Sequence, residues 1–190
     1  MPSGPLAGSE PPPDSGPEAP GGRPSGGEEL QRLVDELEIV GVTYRYCAAI
    51  DGRNWGDLAR CFTPDATAVF GGLPGRSQGL AEIQRTIRNS LERLDASQHL
   101  VTNHLIELSG DAATSRCYVH AQHVRRGLEG GENFTLAGTY EDQWQRTAQG
   151  WRISWRTLSV TWTQGNREVL GKRGEQGPPR RGAGTEGAAR

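Results

Sequence analysis

Residues 44–72 read YRYCAAIDGRNWGDLARCFTPDATAVFGG, and this stretch decides the fold. It opens as the last turns of an amphipathic helix. Leu30, Leu33, Val34, Leu37, Val40, Tyr44, Cys47 and Ala48 share one stripe at steps of three and four, the spacing of an apolar helix face. The same steps carry the stripe on to Asp51, and Gly52 is a natural helix stop. A carboxylate therefore stands where a core residue is expected. Asn54, with Asp57 three residues on, is a helix N-cap that opens a short helix burying Leu58, Cys61 and Phe62. Residues 63–66 (TPDA) predict a turn, 66–70 a strand and 71–79 a glycine-rich loop.

Beyond this stretch a third helix is predicted from Leu80 to Leu94, with Leu80, Ile83, Ile87 and Leu91 aligned. The chain then changes character. Residues 98–108, 112–126, 133–147 and 151–162 are strand-like, separated by the turn signals SGD (109–111) and AQG (148–150) and a glycine-rich loop at 127–132. Three helices followed by an antiparallel meander predict an α+β domain with the helices on one face of the sheet. That domain spans 28–166. Residues 1–27 hold eight Pro and seven Gly without an aromatic residue, and 167–190 form a Gly-rich tail of net charge +3. Neither has enough to bury, so both are expected to be disordered.

Composition excludes several classes. The net charge of the 190-residue chain is −2 and its aromatics are not interleaved with Lys or Arg, so no nucleic-acid partner is expected. No run of 18 apolar residues predicts a membrane span, and the N-terminus lacks a basic start followed by an apolar stretch. Three widely spaced cysteines, Cys47, Cys61 and Cys117, read as small core residues in a reducing compartment. The expected location is the cytoplasm. Phosphate-binding loops, dinucleotide fingerprints and nucleophile elbows are missing.

Chemistry then falls to Asp51 and a histidine partner. If buried, the carboxylate is a proton acceptor unless a cation or hydrogen bonds hold it ionised. Strand alternation sorts the four histidines. His99, Val101, Asn103 and Leu105 share one side of their strand, and Leu100, Thr102, His104 and Ile106 the other. On the next strand Ala113, Ser115, Cys117, Val119, Ala121 and His123 form a mostly apolar row suited to a cavity wall, with His123 at its rim. Thr114, Arg116, Tyr118, His120 and Gln122 form a polar row suited to an outer or subunit-contact face. Asp51, His99 and His123 are the only set that could converge as a two-histidine, one-carboxylate metal site, and no local spacing supports it, so no metal is expected.

The stretch at 44–72, with its aspartate, its Trp55-x-x-Leu58-x-x-x-Phe62 helix and its Pro64-Asp65-Ala66 turn, resembles the opening of SnoaL-like domains in the nuclear transport factor 2-like superfamily. Residues 98–123 and 138–158 fit the same pattern. The resemblance implies a cone-shaped fold, three helices on a strongly curved, mostly antiparallel sheet enclosing a pocket. Within the superfamily the broad likeness is to the scytalone dehydratase, bile-acid 7α-dehydratase and polyketide cyclase-like group. The most similar functional pattern is that of its Asp/His dyad enzymes: scytalone dehydratase, the bile-acid 7α-dehydratase and a dehydrochlorinase acting on a chlorinated cyclohexane. There an aspartate closing the first helix pairs with a histidine opening the strand after the third. Asp51 and His99, 48 positions apart, match that pair.

Tyr46, five positions before the aspartate, matches a pocket tyrosine of the bile-acid enzyme, whereas helical periodicity favours Tyr44 as the residue beside Asp51. Phe70, Cys117 and Tyr140 stand where the dehydratases carry tyrosine, histidine and asparagine. The resemblance implies cofactor-independent general acid–base chemistry on a small to medium apolar ring compound such as a polyketide or steroid-like metabolite. The reaction would be that of a lyase, isomerase or cyclase. Catalysis would fall to Asp51, His99 and Tyr46, and substrate contact to Phe70, Val101, Cys117, Val119, Tyr140 and His123. The alternative is a non-catalytic small-molecule-binding or assembly protein on the same fold. A homodimer or other homo-oligomer is expected, formed through the sheet face carrying Arg116, Tyr118 and His120.

Overall fold

The computed structural model describes residues 25–71 and 75–171. The expected disorder of residues 1–24 and 172–190 lies outside them. The first helix, α1, runs Gly26–Asp51. Its start is set by a capping box: the Ser25 hydroxyl accepts from the Glu28 amide at 3.3 Å, and the Ser25 amide donates to the Glu28 carboxylate at 2.7 Å. This places its beginning slightly ahead of the expected boundary at residue 28. Its end falls where Gly52 caps it.

The buried face of α1 is not the one that periodicity selects. Asp35, Ile39, Val42, Thr43, Tyr46, Cys47, Ala49 and Ile50 face inward, while Leu30, Leu33, Leu37 and Tyr44 stay exposed. Both stripes keep helical spacing, so spacing alone could not choose between them. Specific polar partners decide it. Arg146 holds Asp35 through both carboxylate oxygens at 2.7 and 2.6 Å and also bonds Asp111 at 3.0 Å. The Trp151 indole N–H donates to Asp35 at 3.1 Å, and the Arg146 guanidinium stacks on the Trp151 ring at 4.5 Å. Tyr46, not Tyr44, points inward. Because the Arg146 hydrogen bonds hold the Asp35 carboxyl down at about 2, the anchor stays ionised at any ordinary pH. Asp35→Asn leaves Arg146 without its bidentate acceptor, and urea titration should show a loss of about 2–3 kcal/mol.

Helix α2, Trp55–Ala59, is capped as expected, with the Asn54 side-chain oxygen accepting from the Asp57 amide. Strand β1, Phe62–Phe70, begins earlier than expected and absorbs the segment assigned to a turn; its pairing register with the last strand shifts between Phe62 and Thr67. A two-residue strand β2, Ser77–Gln78, leads into α3, Leu80–Leu91, which stops short of Leu94. Then come β3 (Ala96–Ser109), β4 (Ala112–Val124), β5 (Asn133–Thr147) and β6 (Gly150–Gly165). The sheet order is β2-β1-β6-β5-β4-β3, with β1 parallel to β6 and every other neighbour antiparallel. This is the expected α+β cone: few helices on a curved sheet. Gly138 lies at a register shift between β5 and β6. A Cβ there would overlap the Ser159 carbonyl oxygen, so only glycine allows the close approach.

Bulges change which residues face inward. In β3 the register shifts between Thr102 and Leu105, and Asn103 takes a left-handed φ of 57°. A bulge of one residue flips the side-chain alternation. His104, Ile106 and Leu108 therefore join Ser97, His99 and Val101 on the less exposed side. His99 and His104 do not oppose one another as simple alternation predicts. The β4 alternation holds without interruption, with Ala113 through His123 buried on odd positions. After β6 the chain makes a 3-10 turn, Arg167–Leu170, that buries Val169 completely. Residues 167–171 are thus part of the fold and not of a tail.

Candidate functional site

The concave side of the sheet, α1, α3 and the 3-10 turn line a half-open cavity of about 730 Å³. At one side of it stands a tight carboxylate–imidazole pair. Asp51 ends α1, and β3 passes that end with Ser97 and His99 on its inner side. Asp51 Oδ1 lies 2.7 Å from His99 Nδ1, and Asp51 Oδ2 accepts the His99 backbone N–H at 2.7 Å. The Ser97 hydroxyl donates to Oδ1 at 2.8 Å and in turn accepts from Arg53 at 2.9 Å. Arg53 reaches back because it adopts a left-handed φ of 56° just after Gly52. Both carboxylate oxygens are thus held by hydrogen bonds, which orient the carboxylate towards the ring.

A carboxylate only accepts, so the proton between the pair sits on Nδ1. In the neutral imidazole the other ring nitrogen, Nε2, carries the free lone pair, and His99 lines the cavity. Burial works to raise the Asp51 pKa, but hydrogen bonds from the His99 ring, the His99 amide and Ser97, with the charge of His99, hold it below its usual value. The pair is thus an oriented base backed by an ionised acid.

His123 stands edge-on to His99, ring centroids 5.4 Å apart. Its Nδ1 lies 3.1 Å from the Phe134 carbonyl oxygen, which fixes the proton on Nδ1. Burial, then the neighbouring His99, pushes its pKa down from 6.5 to about 4. It is a buried neutral imidazole on the cavity wall, deeper than the rim position expected. The fold favours the neutral form, so this contribution is complete above about pH 6.5 and is lost as pH falls towards about 4. Melting curves across that window should show the wild type losing on the order of 3 kcal/mol from this group. His123→Gln should flatten the slope.

On the same cavity, two phenols flank a cation. Tyr46 and Tyr140 line the cavity, and the fully buried Arg156 guanidinium lies 4.2 Å from one ring and 4.1 Å from the other. Arg156 is paired to Asp142 by two hydrogen bonds of 2.7 Å. Its Nη1 has no partner among the described residues. Burial pushes both phenols above their usual pKa, so both remain protonated donors.

Of the residues singled out from sequence, His99, Tyr46, Phe70, Val119, His123 and Tyr140 line the cavity, and Asp51 sits behind His99. Val101 and Cys117 do not line it. They are buried in the core, Cys117 on the strand beside Tyr140. Asp51 is spent on Nδ1 of His99, so Asp51, His99 and His123 do not share a common open point. Among the described residues no group of three His, Cys, Asp or Glu is placed to hold a metal ion. Sequence reading missed Arg156 and the cavity residues of the 3-10 turn, Arg167, Glu168 and Leu170. Alternation from Trp151 and Ile153 would turn Arg156 outward; a register shift opposite Gln143 and Trp144 turns it in. Among the described residues no helix is long and apolar enough to cross a membrane.

Comparison with known proteins gives a consistent picture. The model of the SnoaL-like domain matches residues 31–157. An uncharacterized protein of Mycobacterium tuberculosis is 32% identical over 125 residues, covering 65% of this chain and 84% of the relative. The terrestric acid biosynthesis cluster protein E of Penicillium crustosum is 29% identical over 146 residues, covering 74% and 92%. A solved protein of Kribbella flavida superimposes with a TM-score of 0.68 at 26% identity, covering 73% and 98%. A hexachlorocyclohexane dehydrochlorinase of Novosphingobium barchaimii does so with a TM-score of 0.65 at 21% identity, covering 73% and 94%. At that identity the likeness speaks for the fold alone.

Proposed function

The chain belongs to the SnoaL-like domain family, and from that premise we propose that it is a cofactor-independent lyase or isomerase using Asp51 and His99 as a general acid–base dyad. The observation that carries this reading is the 2.7 Å contact between Asp51 Oδ1 and His99 Nδ1, with the ring on the cavity wall. His99 Nε2 removes a proton from a carbon next to a carbonyl, and the bond's electrons pass to the carbonyl oxygen. Asp51 stabilises the imidazolium that forms and keeps the ring oriented. Tyr46 or Tyr140 donates a hydrogen bond to the enolate oxygen, with Arg156 as a fixed positive charge behind both rings. In an elimination the imidazolium returns its proton to the departing group; in an isomerisation it returns it to another carbon. A base, an acid and a water-poor cavity suffice, so the reading assigns no cofactor.

The cavity favours an apolar ring compound. Ile50, Phe70, Val119, Leu136 and Leu158 give it an apolar wall beside the polar side chains, among them the charged Arg167 and Glu168, and about 730 Å³ suits a bicyclic to tetracyclic skeleton. A polyketide or steroid-like metabolite fits, in keeping with the biosynthetic cluster that names the fungal relative. The reading includes self-association through the outer face of the sheet. There Leu100, Tyr118 and Trp162 are about half exposed and His120 stands edge-on to Trp162. A panel of cyclic ketones and β-hydroxyketones, screened for binding by thermal shift and then for turnover, tests the function. A ligand that is bound and transformed by the wild type, and bound but untransformed by His99→Ala, supports it. Ligands that bind with no turnover by the wild type would instead identify a binding protein.

A further inference from the structure

The N-terminal part of the α1 stripe that periodicity assigns to the core lies outside the fold, whereas Val40 is half-buried and Cys47 buried. Leu30, Leu33, Leu37, Val40 and Tyr44 follow one another at alternating steps of three and four, the a and d spacing of a coiled-coil seam. Leu30 is 63%, Leu33 53%, Leu37 72% and Tyr44 55% exposed. Every residue of α1 from 26 to 34 is exposed, so the first turns of the helix leave the body with no part of the described domain against their apolar side. So short an extension has too little helix-forming strength to justify an exposed leucine ladder in water.

We propose that this seam pairs α1, in parallel, with α1 of a second copy of the same chain. With Leu30, Leu37 and Tyr44 at a and Leu33 and Val40 at d, the flanking g positions are Glu29, Glu36 and Thr43, the last buried against His104 of β3, and the e positions are Val34 and Gly41. A parallel pair sets each g residue against an e residue of the other copy: glutamate meets valine or glycine, and no like charges oppose. An antiparallel pair sets g against g and crowds the glutamates of the two copies together. A second copy also supplies an identical ladder, as a two-fold interface requires. The seam spans about two heptads, shorter than the three or four that free coiled coils sustain. From Asp35 onward the helix is held by the domain, so pairing there costs less ordering entropy than in a free helix. This surface is distinct from the outer sheet face, so the two would act independently.

Sedimentation equilibrium of the full chain over a broad concentration range tests the pairing, with Leu33→Glu/Leu37→Glu as the seam variant and Tyr118→Glu/Trp162→Glu as the sheet-face variant. All four side chains are substantially exposed, so an unchanged circular dichroism spectrum and melting temperature are expected. The seam variant should weaken one association step about ten-fold or more whether or not the sheet-face variant affects another. Leu30→Cys should form a disulfide-linked dimer under mild oxidation, since only a parallel pair brings residue 30 of both copies together. A wild type that stays one chain in mass, a seam variant that sediments like the wild type, or a Leu30→Cys chain that does not cross-link would each overturn the proposal.

Discussion

Asp142→Ala should destabilise the domain by about 3–5 kcal/mol, enough to unfold a marginal protein at ambient temperature. The reason is the cation it leaves behind. Arg156 is fully buried, donates its two good hydrogen bonds to Asp142, and lies against the faces of Tyr46 and Tyr140. Burial works against the guanidinium charge, and the Asp142 carboxylate outweighs it and keeps Arg156 charged. Without the carboxylate, an uncompensated charge remains in the core. Removing both partners is a different matter: Asp142→Leu/Arg156→Met replaces a costly ion pair with apolar volume and should recover most of the loss. Urea unfolding of the two singles and the double, combined as a cycle, measures the coupling. A double variant that folds well but has lost turnover would show that the pair serves the two phenols and not the stability of the fold.

Turnover should fall by about 10²–10⁴-fold in His99→Ala and by a comparable factor in Asp51→Asn, with ligand affinity nearly unchanged in both. The two variants fail for different reasons. His99→Ala removes the nitrogen that takes the proton. Asp51→Asn keeps the ring in place but removes the charge that stabilises the imidazolium, and its amide can offer a donor where Nδ1–H needs an acceptor. Since its hydrogen bonds hold the Asp51 carboxyl below the usual range, the carboxylate behind His99 stays ionised throughout neutral pH. Its contribution is present above the ordinary carboxylate pKa and is lost as pH falls through the lowered one.

Much of this was legible in the residues, for reasons that differ from place to place. The stop at Gly52 after Asp51, the Asn54 cap and the long alternation of β4 are local signals, and local signals survive folding. His99 could be linked to Asp51 only through the resemblance, because 48 residues of chain separate them and no periodicity spans that gap. The inward face of α1 was misread because two stripes of equal spacing compete on that helix. Asp35 and Tyr46, on the less aliphatic one, meet Arg146, Trp151 and Arg156, all more than 90 residues away. Single-residue irregularities did the rest. The bulge at Asn103 moved His104 to the inner side of β3, and the shift opposite Gln143 turned Arg156 into the core. Neither leaves a mark in composition. The 3-10 turn was hidden by the Gly- and Arg-rich chain that follows it, although Val169 anchors it completely.

The central claim is that His99 removes a proton from carbon next to a carbonyl with Asp51 behind it. The most direct measurement is exchange of the α-protons of a bound cyclic ketone, such as 2-tetralone or a 3-ketosteroid, into deuterated buffer, followed by proton NMR. The wild type should accelerate exchange well above buffer, Asp51→Asn should reduce the acceleration sharply, and His99→Ala should abolish it while still binding the ketone. Exchange that proceeds at the wild-type rate in His99→Ala would contradict the account.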